Sequence, residues 1–353
     1  MRSPRSEPKD RALRDRPSSG LATTVSARST SHSKATGHSR KVTDENAEPV
    51  RSASLVEPVK KSAAAVKSAP VENVPARPAQ AREIRSSELY ENTWRNLDAA
   101  LSATTLSSVD SLPRTESPVS APKVFISSWV DYTQKYGTAY SLTDGSAGLY
   151  FNDSTTMVMS PDKIHCDYIA NRSGNVYSRR HYLIKEPPAE LNRKAYLVEY
   201  FDTYMSKALT REVDWTFVDA DRKKNMDFLV KYYRMVNAIV FKLSNEVLQF
   251  NFYDHTKMLL TEHGTNVTFI DQNFAISSHS LRDVALARYR SLSKATSVLS
   301  ASEQARTAKL LLIAQKMEYC RDVIRDLAKR RQELKKTARA LQQQQQPSSR
   351  KVK

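Results

Sequence analysis

Glycine is scarce: the 353 residues hold only 7, and none sits in a Gly-rich phosphate loop. No lysine lies in a Val-Ala-Ile-Lys context, and the tripeptides His-Arg-Asp and Asp-Phe-Gly do not occur. The positioned lysine and the metal-binding aspartate that phosphoryl transfer needs are therefore missing. Only two cysteines are present, Cys166 and Cys320, far apart and in no metal or redox spacing, so no zinc site or disulfide framework is expected. No apolar run approaches the roughly 20 residues of a membrane-spanning helix, and the N-terminus lacks the apolar core of a signal peptide. The expectation is a soluble, intracellular protein with no cofactor and no catalytic residues.

Aromatic residues are missing altogether from positions 1–85, which are rich in Ser, Ala, Pro, Arg and Lys. Such a stretch cannot bury enough apolar surface to offset chain entropy, so a disordered basic tail is expected there. The formal charge of +17 is carried entirely by the two ends. Residues 1–85 hold 17 basic and 9 acidic side chains, residues 301–353 hold 14 and 5, and the middle is neutral. A folded domain that tracks a phosphate backbone needs cations clustered on its own surface, so nucleic-acid contact is expected, if at all, from the tails alone.

What is present is a repeating pattern. Leu89 or Tyr90, Thr93 or Trp94, Leu97 and Leu101 share one face of a short amphipathic helix behind a Ser cap near Ser86. After a Ser/Pro-rich linker to Pro122, short β-prone runs separated by turn residues predict an antiparallel meander up to Lys185. Pro187 and Pro188 open a helix with Leu191, Ala195, Val198, Phe201, Met205 and Leu209 on one face. A second meander starts at Phe228, and a helical segment begins near Ser280. Sheet then helix, twice, predicts a tandem α+β architecture. In the last helix Leu310, Ile313, Met317, Cys320, Ile324 and Leu327, then Leu334, Ala338 and Leu341, keep a three-four spacing broken by Arg331. That spacing fits either a coiled coil or a helix that packs to Leu327 and then projects as a charged extension.

The candidate site is Phe252-Tyr253-Asp254-His255-Thr256-Lys257. On an extended strand His255 and Lys257 point to the same side, where two nitrogen donors could meet a phosphate monoester. A solvated strand face gives the same pattern. Trp129 is open in the same way, as a core anchor or as a platform in a peptide groove.

Ser128-Trp129-Val130-Asp131-Tyr132-Thr133-Gln134-Lys135-Tyr136-Gly137 resembles the opening of the first polo box of polo-like kinases. Phe151-Asn152-Asp153-Ser154-Thr155 resembles its second hairpin, Tyr200-Phe201-Asp202-Thr203-Tyr204-Met205 its helix, and Leu243-Ser244-Asn245 through Asp254-His255-Thr256-Lys257 the ligand-facing strands of the second box. The resemblance covers about residues 86–330. It implies two six-stranded antiparallel sheets, each with a packing helix, preceded by a polo-cap helix. The implied division is 86–122 for cap and linker, 123–209 for the first box, 210–226 for a linker, 227–330 for the second box with its helix, and 331–353 for a charged, polyglutamine-containing tail. It implies docking of Ser-phosphoSer or Ser-phosphoThr peptides, with His255 and Lys257 on the phosphate, Trp129 and backbone near Leu209 on the preceding residue, and Tyr200 and Tyr204 lining an apolar side channel. It also implies residence in the nucleus, at spindle poles or centrosomes, at kinetochores or at division sites. The missing catalytic domain makes the chain a kinase-less paralogue or a fragment. Two other roles fit that absence: an oligomeric scaffold, and a chain that restrains a separately encoded kinase domain.

Overall fold

The computed structural model describes residues 79–172, 176–209, 213–293 and 300–345; of the tail expected over 1–85, residues 1–78 lie outside them, as does the Ser173-Gly174-Asn175 turn, while 79–85 are helical, which moves that boundary. Helix α1 (Ala79–Ser102) and the short α2 (Leu106–Asp110) lead into six strands: β1 (Ile126–Tyr132), β2 (Gly137–Leu142), β3 (Ala147–Phe151), β4 (Thr156–Met159), β5 (His165–Arg172) and β6 (Val176–Leu183). Helix α3 (Asn192–Ala208) follows. A second set comprises β7 (Leu229–Arg234), β8 (Ala238–Leu243), β9 (Leu248–Phe252), β10 (Lys257–Thr261), β11 (Asn266–Ile270) and β12 (Ile276–Ser280), then α4 (Leu281–Leu292) and α5 (Ala301–Gln345). Each set forms one antiparallel six-stranded sheet in sequential order. Helix α1 begins at Ala79, ahead of the Ser86 cap expected from the sequence. No described helix is long and apolar enough to cross a membrane.

Strand alternation explains the layers. In β2, Ala139 packs under α3 while its neighbour Tyr140 faces the other sheet. In β8, Ala238 and Val240 face the helices α1, α4 and α5, whereas Ile239, Phe241 and Leu243 face the first sheet. The two sheets thus pack face to face with helices outside them, and strands buried on both faces read as continuous apolar runs.

Polar side chains fix the sheets to each other. Gln249 is fully buried and clasps the backbone of Ile126: its Nε2 donates to the carbonyl (2.8 Å) and its Oε1 accepts the N–H (2.9 Å). The buried Tyr140 hydroxyl accepts the N–H of Leu229, the first residue of β7, at 3.1 Å. Gly148 leaves room for that hydroxyl, since a Cβ there would stand 2.5 Å from it. Tyr140→Phe strands a buried N–H, and the expected loss is about 1–3 kcal/mol in a denaturant melt; an unchanged midpoint would mean that Leu229 finds another acceptor.

Lys242 on β8 is only 5% exposed and lies with its ammonium 5.2 Å from the Tyr90 ring. Burial, reinforced by the Arg331 guanidinium, lowers its pKa to about 7. An unfolded lysine titrates near 10.4, so between about pH 7 and 10 the unfolded chain holds the extra proton and stability rises with pH, by up to about 1.4 kcal/mol per unit. Melts at pH 7, 8 and 9 should show that rise in the native chain and a flat response at this position in Lys242→Met.

Candidate functional site

The two sheets carry the same turn after their third strand. In the first, the Phe151 N–H donates to the Thr155 carbonyl (2.8 Å), and Asp153 Oδ1 accepts the Thr155 N–H (3.0 Å) and hydroxyl (2.6 Å). In the second, the Phe252 N–H donates to the Thr256 carbonyl (2.9 Å), and Asp254 Oδ1 accepts the Thr256 N–H (3.1 Å) and hydroxyl (2.7 Å). The residue between Asp and Thr is left-handed in both, Ser154 at φ 65° and His255 at φ 66°. A lysine from the packing helix closes each turn. Lys194 of α3 lies 2.6 Å from Asp153 Oδ2 and 4.6 Å from the Phe151 ring centroid. Lys316 of α5 lies 2.5 Å from Asp254 Oδ2 and 4.2 Å from the Phe252 ring centroid. Partial burial pushes the Asp254 carboxyl up, but hydrogen bonds from Lys316 and Thr256 outweigh it and hold the group below its usual range.

His255 therefore stands in a turn, not on a strand, which corrects the same-side geometry expected for it. The Asp-x-Thr turn requires a left-handed middle residue, a conformation that histidine adopts more readily than β-branched residues do. His255 is exposed, and Lys257 begins β10. Lys257 pairs in register with Asn251 and with Ile270, and its ammonium lies 5.6 Å from the Phe274 ring. The carbonyl of Phe274 accepts Trp215 Nε1–H at 3.1 Å, which ties the segment between the two sheets to this corner. Gln272 Nε2 donates to the Asp254 carbonyl at 2.9 Å and braces the His255 turn.

Register places Trp129 and Lys257 on one shared face. Phe241 pairs with Gln249, Gln249 with Leu259, and Asn251 with Lys257, so Phe241, Gln249, Asn251, Leu259 and Lys257 all project toward the first sheet. Trp129 on β1 meets Phe241 edge-on with centroids 5.7 Å apart and is half-buried against the core between the sheets. With strands about 4.8 Å apart and about 3.4 Å per residue, the Phe241 and Lys257 Cα atoms are about 12 Å apart, close to the span of a dipeptide plus a phosphate. Asp131 of β1 forms an ion pair with Arg234 of β7 across the same junction.

The other expected residues lie elsewhere around β1. Leu209 ends α3, its N–H donating to the Met205 carbonyl at 2.9 Å, and packs with Tyr204 on the core beneath α3. Tyr200 is 47% exposed, edge-on to Phe201, and stacks on Tyr196 with centroids 6.4 Å apart. These three belong to the α3 side of the first sheet and Trp129 to its opposite side. Sequence reasoning missed Gln249 and Asn251, whose side chains hydrogen-bond to each other at 2.9 Å. Two polar residues two apart inside Val247-Leu248-Gln249-Phe250-Asn251-Phe252 were the available signal.

The family described as the POLO box duplicated region matches residues 134–195 and 236–295. The serine/threonine-protein kinase PLK1 of Xenopus tropicalis is 36% identical over 168 residues, 47% of this chain and 27% of its own length. The cell cycle serine/threonine-protein kinase CDC5/MSD2 of Saccharomyces cerevisiae is 33% identical over 173 residues, 49% of this chain and 24% of its own. The chain thus spans about a quarter of the length of these curated relatives. The crystal structure of the budding yeast Cdc5 polo-box domain in complex with an Spc72 phosphopeptide has a TM-score of 0.51 at 24% identity, covering 74% of this chain and 92% of that one. That likeness is one of fold.

Proposed function

We propose that the chain, whose residues 134–195 and 236–295 match the POLO box duplicated region and resemble that region of polo-like kinases, docks peptides carrying a phosphorylated Ser or Thr. In this reading the peptide runs between the boxes along β1, the edge strand of the first sheet, with its phosphate on His255 and Lys257, its preceding Ser on Trp129 at one side of that edge and backbone near Leu209 at the other, and an apolar residue against Tyr200 and Tyr204. The folded unit for this role is residues 86–330. Its partners are proteins primed by phosphorylation during mitosis, at spindle poles, kinetochores or division sites, and the chain acts there as a binding module rather than a catalyst.

One observation carries the reading. The first box builds the same turn with Ser154 and Thr156 where the second has His255 and Lys257. The turn therefore needs neither a histidine nor a lysine at these places, and a pair of nitrogen donors there is a feature of the second box alone. A phosphate monoester, with charge near −2 and three acceptor oxygens, suits such a pair.

The experiment is a titration of the full chain with a fluorescent Ser-phosphoThr peptide and its unphosphorylated counterpart. Micromolar or tighter binding confined to the phosphorylated form is the expected result. Equal affinity for both peptides, or none for either, would remove the phosphate from the account.

A further inference from the structure

The apolar stripe of α5 runs past the surface that covers it. Leu310, Ile313, Met317, Cys320, Ile324 and Leu327 are buried against α1, α4 and the second sheet. The same three-four spacing continues through Arg331, Leu334, Ala338 and Leu341, but here Leu334 is 72% and Leu341 53% exposed, and Ala338 is exposed too. From Lys329 to Gln345 the helix runs about 25 Å at 1.5 Å per residue, its start still held to α1 by Gln332 Nε2, which donates to Glu91 Oε2 at 2.9 Å. This last stretch holds six basic residues, Lys329, Arg330, Arg331, Lys335, Lys336 and Arg339, against the single acidic Glu333.

The charges are placed as well as numerous. With Leu334 and Leu341 as seam positions, the charged residues flanking the seam are Arg330 and Lys335, alongside the neutral Thr337 and Gln342, and neither cation has an ion-pair partner among the described residues. Glu333, the one acid, points away from the seam and pairs with Lys336 at 2.9 Å. Flanking charges select the partner of a heptad seam. A second copy of this chain would bring like charge against like in either orientation, whereas a helix with acidic flanks is attracted. Nucleic acid would use the charge and leave both leucines in water.

We propose that residues 329–345 form a docking arm for an acidic amphipathic helix of a partner protein, with leucine-type residues on Leu334 and Leu341 and Glu or Asp beside Arg330 and Lys335. The surface is separate from the phosphopeptide cleft, so the two sites can engage one partner or two at once.

The test uses the full chain and a labelled three-heptad synthetic peptide with Leu at its seam positions and Glu at the flanking ones, followed by fluorescence anisotropy. Saturable binding is expected, weakened at least about tenfold by Leu334→Asp/Leu341→Asp. Arg330→Glu/Lys335→Glu should lose that peptide and gain a Lys-flanked version of it. The leucines are exposed, so the variants should melt like the native chain. Absent binding, binding that survives the leucine changes, or equal binding of a peptide with scrambled leucines would overturn the proposal. So would sedimentation showing that the native chain self-associates through this face and that Leu334→Asp separates it.

Discussion

Replacing His255 by Ser and Lys257 by Thr should weaken binding of a Ser-phosphoThr peptide by about two to four powers of ten, since each charged hydrogen bond to phosphate contributes about 1.5–3 kcal/mol. The substitution imposes on the second box a pair like that of the first, where Ser154 holds the left-handed position of the same turn and Thr156 follows it. The turn should therefore survive: Asp254, Thr256 and Lys316 still hold it together. A calorimetric titration beside a thermal melt separates the two effects. Lost affinity with an unchanged melting temperature assigns the pair to the ligand; retained affinity would return it to a solvated turn.

Asp167→Ala should be the most destabilising single change in the first box, by about 3–5 kcal/mol. The carboxylate is fully buried and accepts from Arg179 Nη1 (2.7 Å), from the Met226 N–H (3.0 Å) and through its contact with His181 Nδ1 (3.1 Å). Its removal leaves the Arg179 guanidinium in place without its counter-charge, holding only the Met226 carbonyl (3.0 Å), and leaves the buried Met226 N–H without an acceptor, which loosens the segment that enters β7 from the sheet it is tied to. Denaturant unfolding measures the loss; a change below about 1 kcal/mol would mean that water replaces the carboxylate.

The apolar runs made most of the sheet legible. Ala238-Ile239-Val240-Phe241 and Val267-Thr268-Phe269-Ile270 are buried on both faces, so their composition alone marks them as strands. The outer strands were harder. Ile276-Ser277-Ser278-His279-Ser280 is polar because β12 has one neighbour and is half-exposed along its length. Nothing in its periodicity distinguishes it from a loop, and the six-stranded count came from family resemblance. The last helix shows a similar limit. Its spacing reads alike for a coiled coil and for packing on the domain; only the burial of Leu310 through Leu327 against α1 and the second sheet decides in favour of packing.

The candidate site was misjudged in geometry. His255 and Lys257 stand two apart, and an extended strand was the simplest way to bring them together. The Asp254 side chain captures the backbone of Thr256 instead, and the resulting turn puts His255 at positive φ. The equivalence of Lys194 and Lys316 was invisible in sequence, because 41 residues separate Lys194 from Asp153 and 62 separate Lys316 from Asp254. Helix α4 intervenes in the second box and shifts the packing helix along the chain.

The most direct measurement is a crystal structure of the chain with a bound Ser-phosphoThr peptide. The account predicts phosphate oxygens within hydrogen-bond distance of the His255 ring and the Lys257 ammonium, with the preceding Ser against Trp129. A phosphate held elsewhere, or a peptide that leaves the face between the two sheets empty, would contradict it.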